Sequence, residues 1–399
     1  MSFSPRAIAY ALRELARRAG ISSDIIERSH ATVGPKTVTL FLDLPAAARV
    51  VFAFDASKAQ RFSSLARQPA ATYEWIARPA AASEVPTFVV PFSDHAGGEP
   101  LFDVGDGVVE CRADIITPTL WVLSRRGEMD SGERDAHGRF PATASIAYRE
   151  GYLERPIVDE YGLALSDAIA RAVPRWRRVP ISPRVKLSHD IDLVGLPARV
   201  RTSLGHLYPR RNFGAFLADV RATIGPGRPA YLEAVFTLIA SAAQRGLDSA
   251  FYWMTATRRT KHDSAYDVRN PKVRTAIEQL RDAGVEIGIH PSYHTLGSQS
   301  RLEDEVERLR SIAGSGLMGG RQHYLRWDPA SWQAWERAGL AYDSSVGFAD
   351  RIGFRAGTAV PYHPWLLNED RESRLLEIPL IVMDSTPVAY MHLPEEELL

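Results

Sequence analysis

Residues 250–294 read AFYWMTATRRTKHDSAYDVRNPKVRTAIEQLRDAGVEIGIHPSYH, and this stretch decides the fold. Ala250–Met254 is rich in aromatic side chains and reads as a strand. Asn270–Ala283 reads as a helix, with Asn270 suited to the N-cap, Pro271 to the first helical position and Gly284 to the stop. Val285–Ile289 reads as a second strand. Strand, helix and strand in succession predict a parallel β/α unit.

The pattern continues on both sides. Val185–Ser188 predicts a short strand and Ala230–Arg245 a helix. Arg301–Ile312 predicts a helix laced by opposite charges at Asp304/Arg308, Glu305/Arg308 and Glu307/Arg310. Ser331–Ala338 is a helix stopped by Gly339, and Leu376–Met383 a final strand. Residues 174–184, PRWRRVPISPR, hold three prolines and four arginines and read as a linker. This predicts a smaller α+β domain at 1–178 and a β/α domain at 179–399. In the first, an amphipathic helix over 6–19 carries Ile8, Leu12 and Leu15 on one face and ends at Gly20. Val38–Leu42, Val50–Phe54 and Thr87–Phe92 read as strands, and Glu160–Val173 as a helix. Residues 125–142 read as a long polar loop, a partly exposed flap. The Arg-rich segment 197–228 is long for a βα loop and is expected to cover one end of the β/α domain.

Composition narrows the function class. The chain has 399 residues, 48 Lys plus Arg and 48 Asp plus Glu, so its formal charge of zero offers no basic footprint for nucleic acid. Cys111 is the single cysteine, which excludes an intrachain disulfide and a cysteine-based zinc site. Any metal must rest on histidine and carboxylate. No apolar run approaches the ~18 residues of a membrane span. Arg6, Arg13, Glu14, Arg17 and Arg18 interrupt any secretory h-region, and the expected location is the cytoplasm.

Three clusters carry chemistry. Ser188-His189-Asp190-Ile191-Asp192 follows the Val185 strand, and its acids at i,i+2 share one face of an extended chain. His290-Pro291-Ser292-Tyr293-His294 follows the Val285 strand, and the i,i+4 spacing predicts both imidazoles on one side of a helical turn. Two histidines and one carboxylate are a common ligand set for zinc. Gly319-Gly320-Arg321-Gln322-His323-Tyr324-Leu325-Arg326 supplies an arginine that can clamp a catalytic acid. In parallel β/α folds the C-terminal ends of strands face the active site. His189 and His323 read as hydrogen-bonded or core residues beside these motifs. Trp327, Trp332, Trp335 and Trp365 read as core or rim.

With Tyr342-Asp343-Ser344-Ser345, Gly353-Phe354-Arg355-Ala356-Gly357-Thr358 and Glu377-Ile378-Pro379-Leu380, this ordered set resembles the NodB-homology polysaccharide deacetylases, carbohydrate esterase family 4. More closely it is similar to a bacterial subgroup with an N-terminal domain of unknown function, which segment 114–162 resembles. The resemblance implies a distorted (β/α)7 barrel of the deacetylase type. It implies Asp192, His290 and His294 as ligands of a divalent metal, zinc first, with cobalt, nickel or manganese also accepted. It implies Asp190 as catalytic base and Arg321 as the residue that holds it, with Asp343 lining the same region. The family also uses a late-strand histidine as general acid. His363 and His392 stand in that region without matching its motif. Three readings stay open: a barrel lacking its last strand, a different acid, or an inactive homologue.

The function expected is metal-dependent removal of an N-acetyl or related acyl group from a sugar or polysaccharide precursor. A non-catalytic carbohydrate-binding or scaffold protein on the same fold is the alternative. A hydrolase of simple amides is the third reading, since the same chemistry serves any amide.

Overall fold

The computed structural model describes residues 3–44, 48–56, 65, 68–74, 87–93, 98–182, 184–192, 230–264, 266–314, 319–394 and 396. Segment 197–228, expected to cover one end of the β/α domain, lies outside the described residues. The chain divides into two compact units. One comprises Met1–Ser182, Trp327–Gln333 and Ser344–Leu399, the other Pro183–Arg326 and Ala334–Asp343.

The first unit holds a mixed sheet. Its strands are β1 (His30–Val33), β2 (Thr37–Leu42), β3 (Ala48–Ala53), β6 (Phe102–Gly105) and β7 (Val108–Cys111), in the order β1-β2-β3-β7-β6. The pair β3/β7 is parallel and the others are antiparallel. Val38, Leu40 and Leu42 are buried at every second position, as a sheet covered on one face requires. β4 (Ala70–Glu74) and β5 (Thr87–Pro91) form a separate antiparallel pair. Helix Pro5–Arg18 is capped by Ser4, whose Oγ accepts from the Ala7 N–H at 3.0 Å. It lies against helix Ile157–Ala172, where Gly162 admits the approach. A Cβ there would sit 2.3 Å from the Arg18 Cβ.

Two buried ion groups tie this unit together. Arg18 donates to Glu14 at 2.5 Å and to Asp159 at 2.8 Å. Glu128 lies between Arg125 and Arg355, at 2.5 and 2.6 Å. The second group buries part of the 125–142 stretch, read from sequence as a partly exposed flap, while residues 132–134 stay exposed. Arg126–Asp130 is helical, and Arg125, Glu128 and Arg139 are buried. A charged stretch that looks solvated in sequence turns inward because the guanidinium of Arg355, distant in sequence, neutralises it. The four tryptophans read as core or rim are all buried. The final strand is only Leu376–Glu377 rather than Leu376–Met383, since Pro379 has no N–H to continue a ladder.

The second unit is a β/α unit whose parallel strands form a curled half-barrel sheet. Its strands are β8 (Lys186–Ile191), β9 (Asp248–Trp253), β10 (Glu286–Ile289), β11 (Gly319–Gly320) and β12 (Tyr342–Asp343), hydrogen-bonded in chain order. Helices Ala230–Ala243, Pro271–Asp282 and Gln299–Ala313 intervene, and Asn270 Oδ1 accepts from the Lys272 N–H at 3.0 Å. β8 runs further than its apolar residues suggest. It contains Ser188, His189 and Asp190 themselves, and Asp192 follows it directly. β11 is two glycines, because a Cβ on Gly320 would lie 1.8 Å from the Ile289 carbonyl oxygen. Among the described residues no helix is long and apolar enough to cross a membrane.

Glu128 generates a pH prediction. Burial alone would raise its carboxyl, but Arg125 and Arg355 outweigh burial and pull it down to about 2 from 4.5. A depressed carboxyl stabilises the fold above its unfolded value and loses that contribution as pH falls towards the folded one. Denaturant midpoints of the wild-type protein should therefore fall between pH 4.5 and about 2. Glu128→Gln should flatten that slope and cost about 3 kcal/mol at pH 7, leaving two buried guanidiniums without their carboxylate. Equal slopes in the two proteins would refute the assignment.

Candidate metal centre

Sheet register brings the site residues to one face of the half-barrel. Asp190 pairs with Tyr252, Tyr252 with Gly288, Gly288 lies beside Gly319, and Gly319 pairs with Tyr342. Residues level in a parallel ladder project to the same side, and i,i+2 neighbours join them. Asp192, Glu286, His290 and Arg321 thus share the face of Asp190. Gly288 and Gly319 leave room for the tyrosine rings, since a Cβ on either would come within 2.6 Å of one. The Tyr252 and Tyr342 hydroxyls meet at 3.0 Å, and Tyr342 donates to Glu286. Burial pushes Tyr252 up to about 12, so it stays a neutral donor. Tyr342, rather than Asp343, is the residue of β12 on this face.

Arg321 is buried over the Tyr252 ring, 5.2 Å from its centroid. Its Nη1 donates to Asp190 Oδ1 at 3.1 Å and its Nη2 to Ser188 Oγ at 2.7 Å. The pairing of Asp190 with Arg321 expected from sequence is therefore present.

Asp192, His290 and His323 converge, with their donor atoms all within 4.8 Å of one another. His290 Nε2 lies 2.8 Å from His323 Nδ1 and 3.2 Å from Asp192 Oδ1, and His323 Nδ1 lies 3.5 Å from the same oxygen. The outer ring atoms settle the tautomers. His290 Nδ1 donates to the Arg321 carbonyl at 2.6 Å, and His323 Nε2 to the His262 carbonyl at 2.6 Å. A carbonyl only accepts, so both outer nitrogens carry hydrogen. When both rings are neutral, two imidazole lone pairs and a carboxylate oxygen face one another, an arrangement a cation relieves. One carboxylate and two imidazoles, each ring held from behind by a carbonyl, is a donor set suited to a divalent metal. For His290, burial favours the neutral ring, but Asp190 and Asp192 outweigh it and raise its value. Burial, then His290, pushes His323 down to about 4. Burial would raise Asp192, but His290 and His323 bring it below the usual carboxylate range.

His294 is elsewhere. It is exposed, its ring edge-on to Tyr293 at 5.2 Å, outside the cluster. The helical turn expected over His290–His294 does not form. Glu305 binds Ser292: its carboxylate accepts from the Ser292 N–H at 2.9 Å and from its hydroxyl at 2.5 Å. Gln322 Nε2 donates to the Ser292 carbonyl at 3.0 Å. The chain turns only afterwards, with the Thr295 N–H on the Ser292 carbonyl. His323, read from sequence as a hydrogen-bonded neighbour, stands with Asp192 and His290 instead. Its signal was present: His323 is i+2 from Arg321, the same alternation that joins Asp190 to Asp192.

Similarity to known proteins is limited. Residues 51–174 match a family of unknown function, DUF7033, within the first unit and across segment 114–162. No curated protein matches the chain. Among solved structures, the chain is similar to a "putative polysaccharide deacetylase" from Mycobacterium smegmatis at 15% identity and a TM-score of 0.31. The match covers 50% of this chain and 62% of that one. A second, from Bordetella bronchiseptica and described as involved in O-antigen biosynthesis, shows 16% identity and a TM-score of 0.23. It covers 49% of this chain and 57% of that one. The chain thus spans less than two thirds of each.

One buried hydroxyl holds the end of β8. Tyr266 donates to the Ile191 carbonyl at 2.8 Å and accepts from the Met254 N–H at 2.8 Å, bridging β8 and β9 beyond their ladder. Tyr266→Phe leaves a buried N–H and a half-buried carbonyl unpaired and should cost about 2 kcal/mol in urea denaturation. A loss below about 0.5 kcal/mol would show that the bridge is dispensable.

Proposed function

We propose that the second unit is a metal-dependent hydrolase that removes an acyl group from an amide nitrogen, its substrate an acylated sugar or polysaccharide precursor. The observation that carries this reading is the facing pair of inner imidazole nitrogens beside Asp192, each ring held from behind by a carbonyl, next to an Asp190–Arg321 pair on the same face. Asp192, His290 and His323 would hold the metal. A bound divalent cation supplies Lewis-acid polarisation of a carbonyl and acidifies water.

The chain's own residues supply the rest. Arg321 binds one oxygen of Asp190 and anchors itself on Ser188 and the Tyr252 face, which fixes the carboxylate beside the metal ligands. Asp190 Oδ2 is the acceptor for the proton of the attacking water. The sugar class rests on the resemblance of the ordered motifs to the polysaccharide deacetylases.

The test begins with cobalt(II), whose visible absorption reports coordination. Wild type should bind about one equivalent, as a single His2Asp set requires. His323→Ala should lose the band and His294→Ala should keep it. The reverse pattern would return His294 to the ligand set implied by the resemblance. Asp190→Asn should keep the metal and lower acetate release from N-acetylated oligosaccharides by about 10²–10⁴-fold. Metal and sugar binding without acetate release from the wild type would replace the hydrolase by the non-catalytic carbohydrate-binding reading.

A further inference from the structure

The motif segments at 290–295 and 321–323 are joined by a buried polar lattice that the chemistry above does not use. Its centre is Glu305, on helix Gln299–Ala313 and only 5% exposed. Both of its carboxylate oxygens are spent on Ser292: Oε2 accepts the N–H and Oε1 the hydroxyl. Gln322 is buried on the other side of the same residue. Its amide donates to the Ser292 carbonyl at 3.0 Å, the Pro291 carbonyl at 3.3 Å and Thr295 Oγ1 at 2.9 Å. The Thr295 hydroxyl in turn reaches the Ser292 carbonyl at 2.7 Å. Ser292 is two residues beyond His290, and Gln322 lies between Arg321 and His323. The lattice therefore spans the two segments that carry the histidines and the base-holding arginine.

We infer that Glu305 is a positioning residue for the metal site, acting through Ser292 and Gln322 to keep residues 290–292 on their observed path so that His290 faces Asp192 and His323. This rests on the metal reading proposed above. Any path of residues 290–292 that moved Ser292 off Glu305 would break both of these bonds. A buried carboxyl that has lost two donors is costly, as is a buried serine N–H without an acceptor, so the observed path of the segment is held in place. Hydrogen-bonding capacity rather than negative charge performs this task. A glutamine at 305 can accept from the Ser292 N–H and donate to the Ser292 Oγ, keeping both bonds.

The experiment measures cobalt(II) affinity by titration calorimetry on the full chain, with thermal melting alongside. Glu305→Ala should weaken binding by about 10–100-fold, the range for partners that orient a ligand from behind. Glu305→Gln should restore it to within about threefold of wild type. Ser292→Ala, which removes only the hydroxyl bond, should fall between them and serves if Glu305→Ala does not fold. Wild-type affinity in Glu305→Ala or Ser292→Ala, with only the melting temperature lowered, would overturn the positioning role in favour of a purely structural one. A Glu305→Gln protein as weak as Glu305→Ala would overturn the hydrogen-bond mechanism. A wild type that binds no metal would overturn the proposed function and this inference with it, whereas binding unaffected by residue 305 overturns the inference alone.

Discussion

Two imidazoles that spend their outer N–H groups on backbone carbonyls are the constraint around which the second unit is arranged. With His290 donating to Arg321 and His323 to His262, neutral rings leave the inner nitrogens lone pairs to offer and only 2.8 Å between them. Asp192 adds a carboxylate oxygen to the same space. Such a concentration of acceptors is unfavourable in a buried site unless a metal cation or a proton on His290 shares it. Arg321 serves twice here: its carbonyl accepts from His290 and its guanidinium binds Asp190. The orientation of a ligand and the placement of the base are thereby linked through one backbone position.

The sheet beneath makes this arrangement possible by giving up side chains. Gly288, Gly319 and Gly320 leave the backbones of β10, β11 and β12 close enough that any Cβ would collide. The space released is filled by Tyr252 and Tyr342, whose hydroxyls pair and pass the chain of hydrogen bonds to Glu286. Tyr252 then presents its face to Arg321, an environment in which a guanidinium can be buried over an aromatic ring. Glycine in a strand is usually a loss in propensity. Here it is exchanged for a polar interior built on aromatic hydroxyls.

The first unit solves a different problem with related means. Its long polar stretches would be solvated loops if each charge kept its local partner. Besides its neighbour Arg125, Glu128 binds Arg355 from far along the chain, and besides Glu14, Arg18 binds Asp159. Buried pairs of this kind hold a fold to one arrangement because removing either member strands the other. The match of residues 51–174 to DUF7033 falls within this unit, apart from the residues of the metal site.

The sequence alone determined what depends on neighbours a few residues apart. The strand–helix–strand alternation, the Asn270 cap, the parallel α/β class and the common face of Asp190 and Asp192 follow from periodicities of two and 3.6 and from capping chemistry. Even the pairing of Arg321 with Asp190 was legible, through motifs that resemble a known family. Which histidine stands beside Asp192 and His290 was not. The i,i+4 spacing of His290 and His294 assumes a helical turn, which does not form, and the segment is bonded instead to Glu305 and Gln322, thirteen and thirty residues from Ser292. Local spacing sets where a side chain could point, whereas hydrogen bonds from distant, buried groups decide which backbone conformation it points from. That competition is resolved only when the helix and strands have packed, and it places His323 in the cluster and His294 outside it.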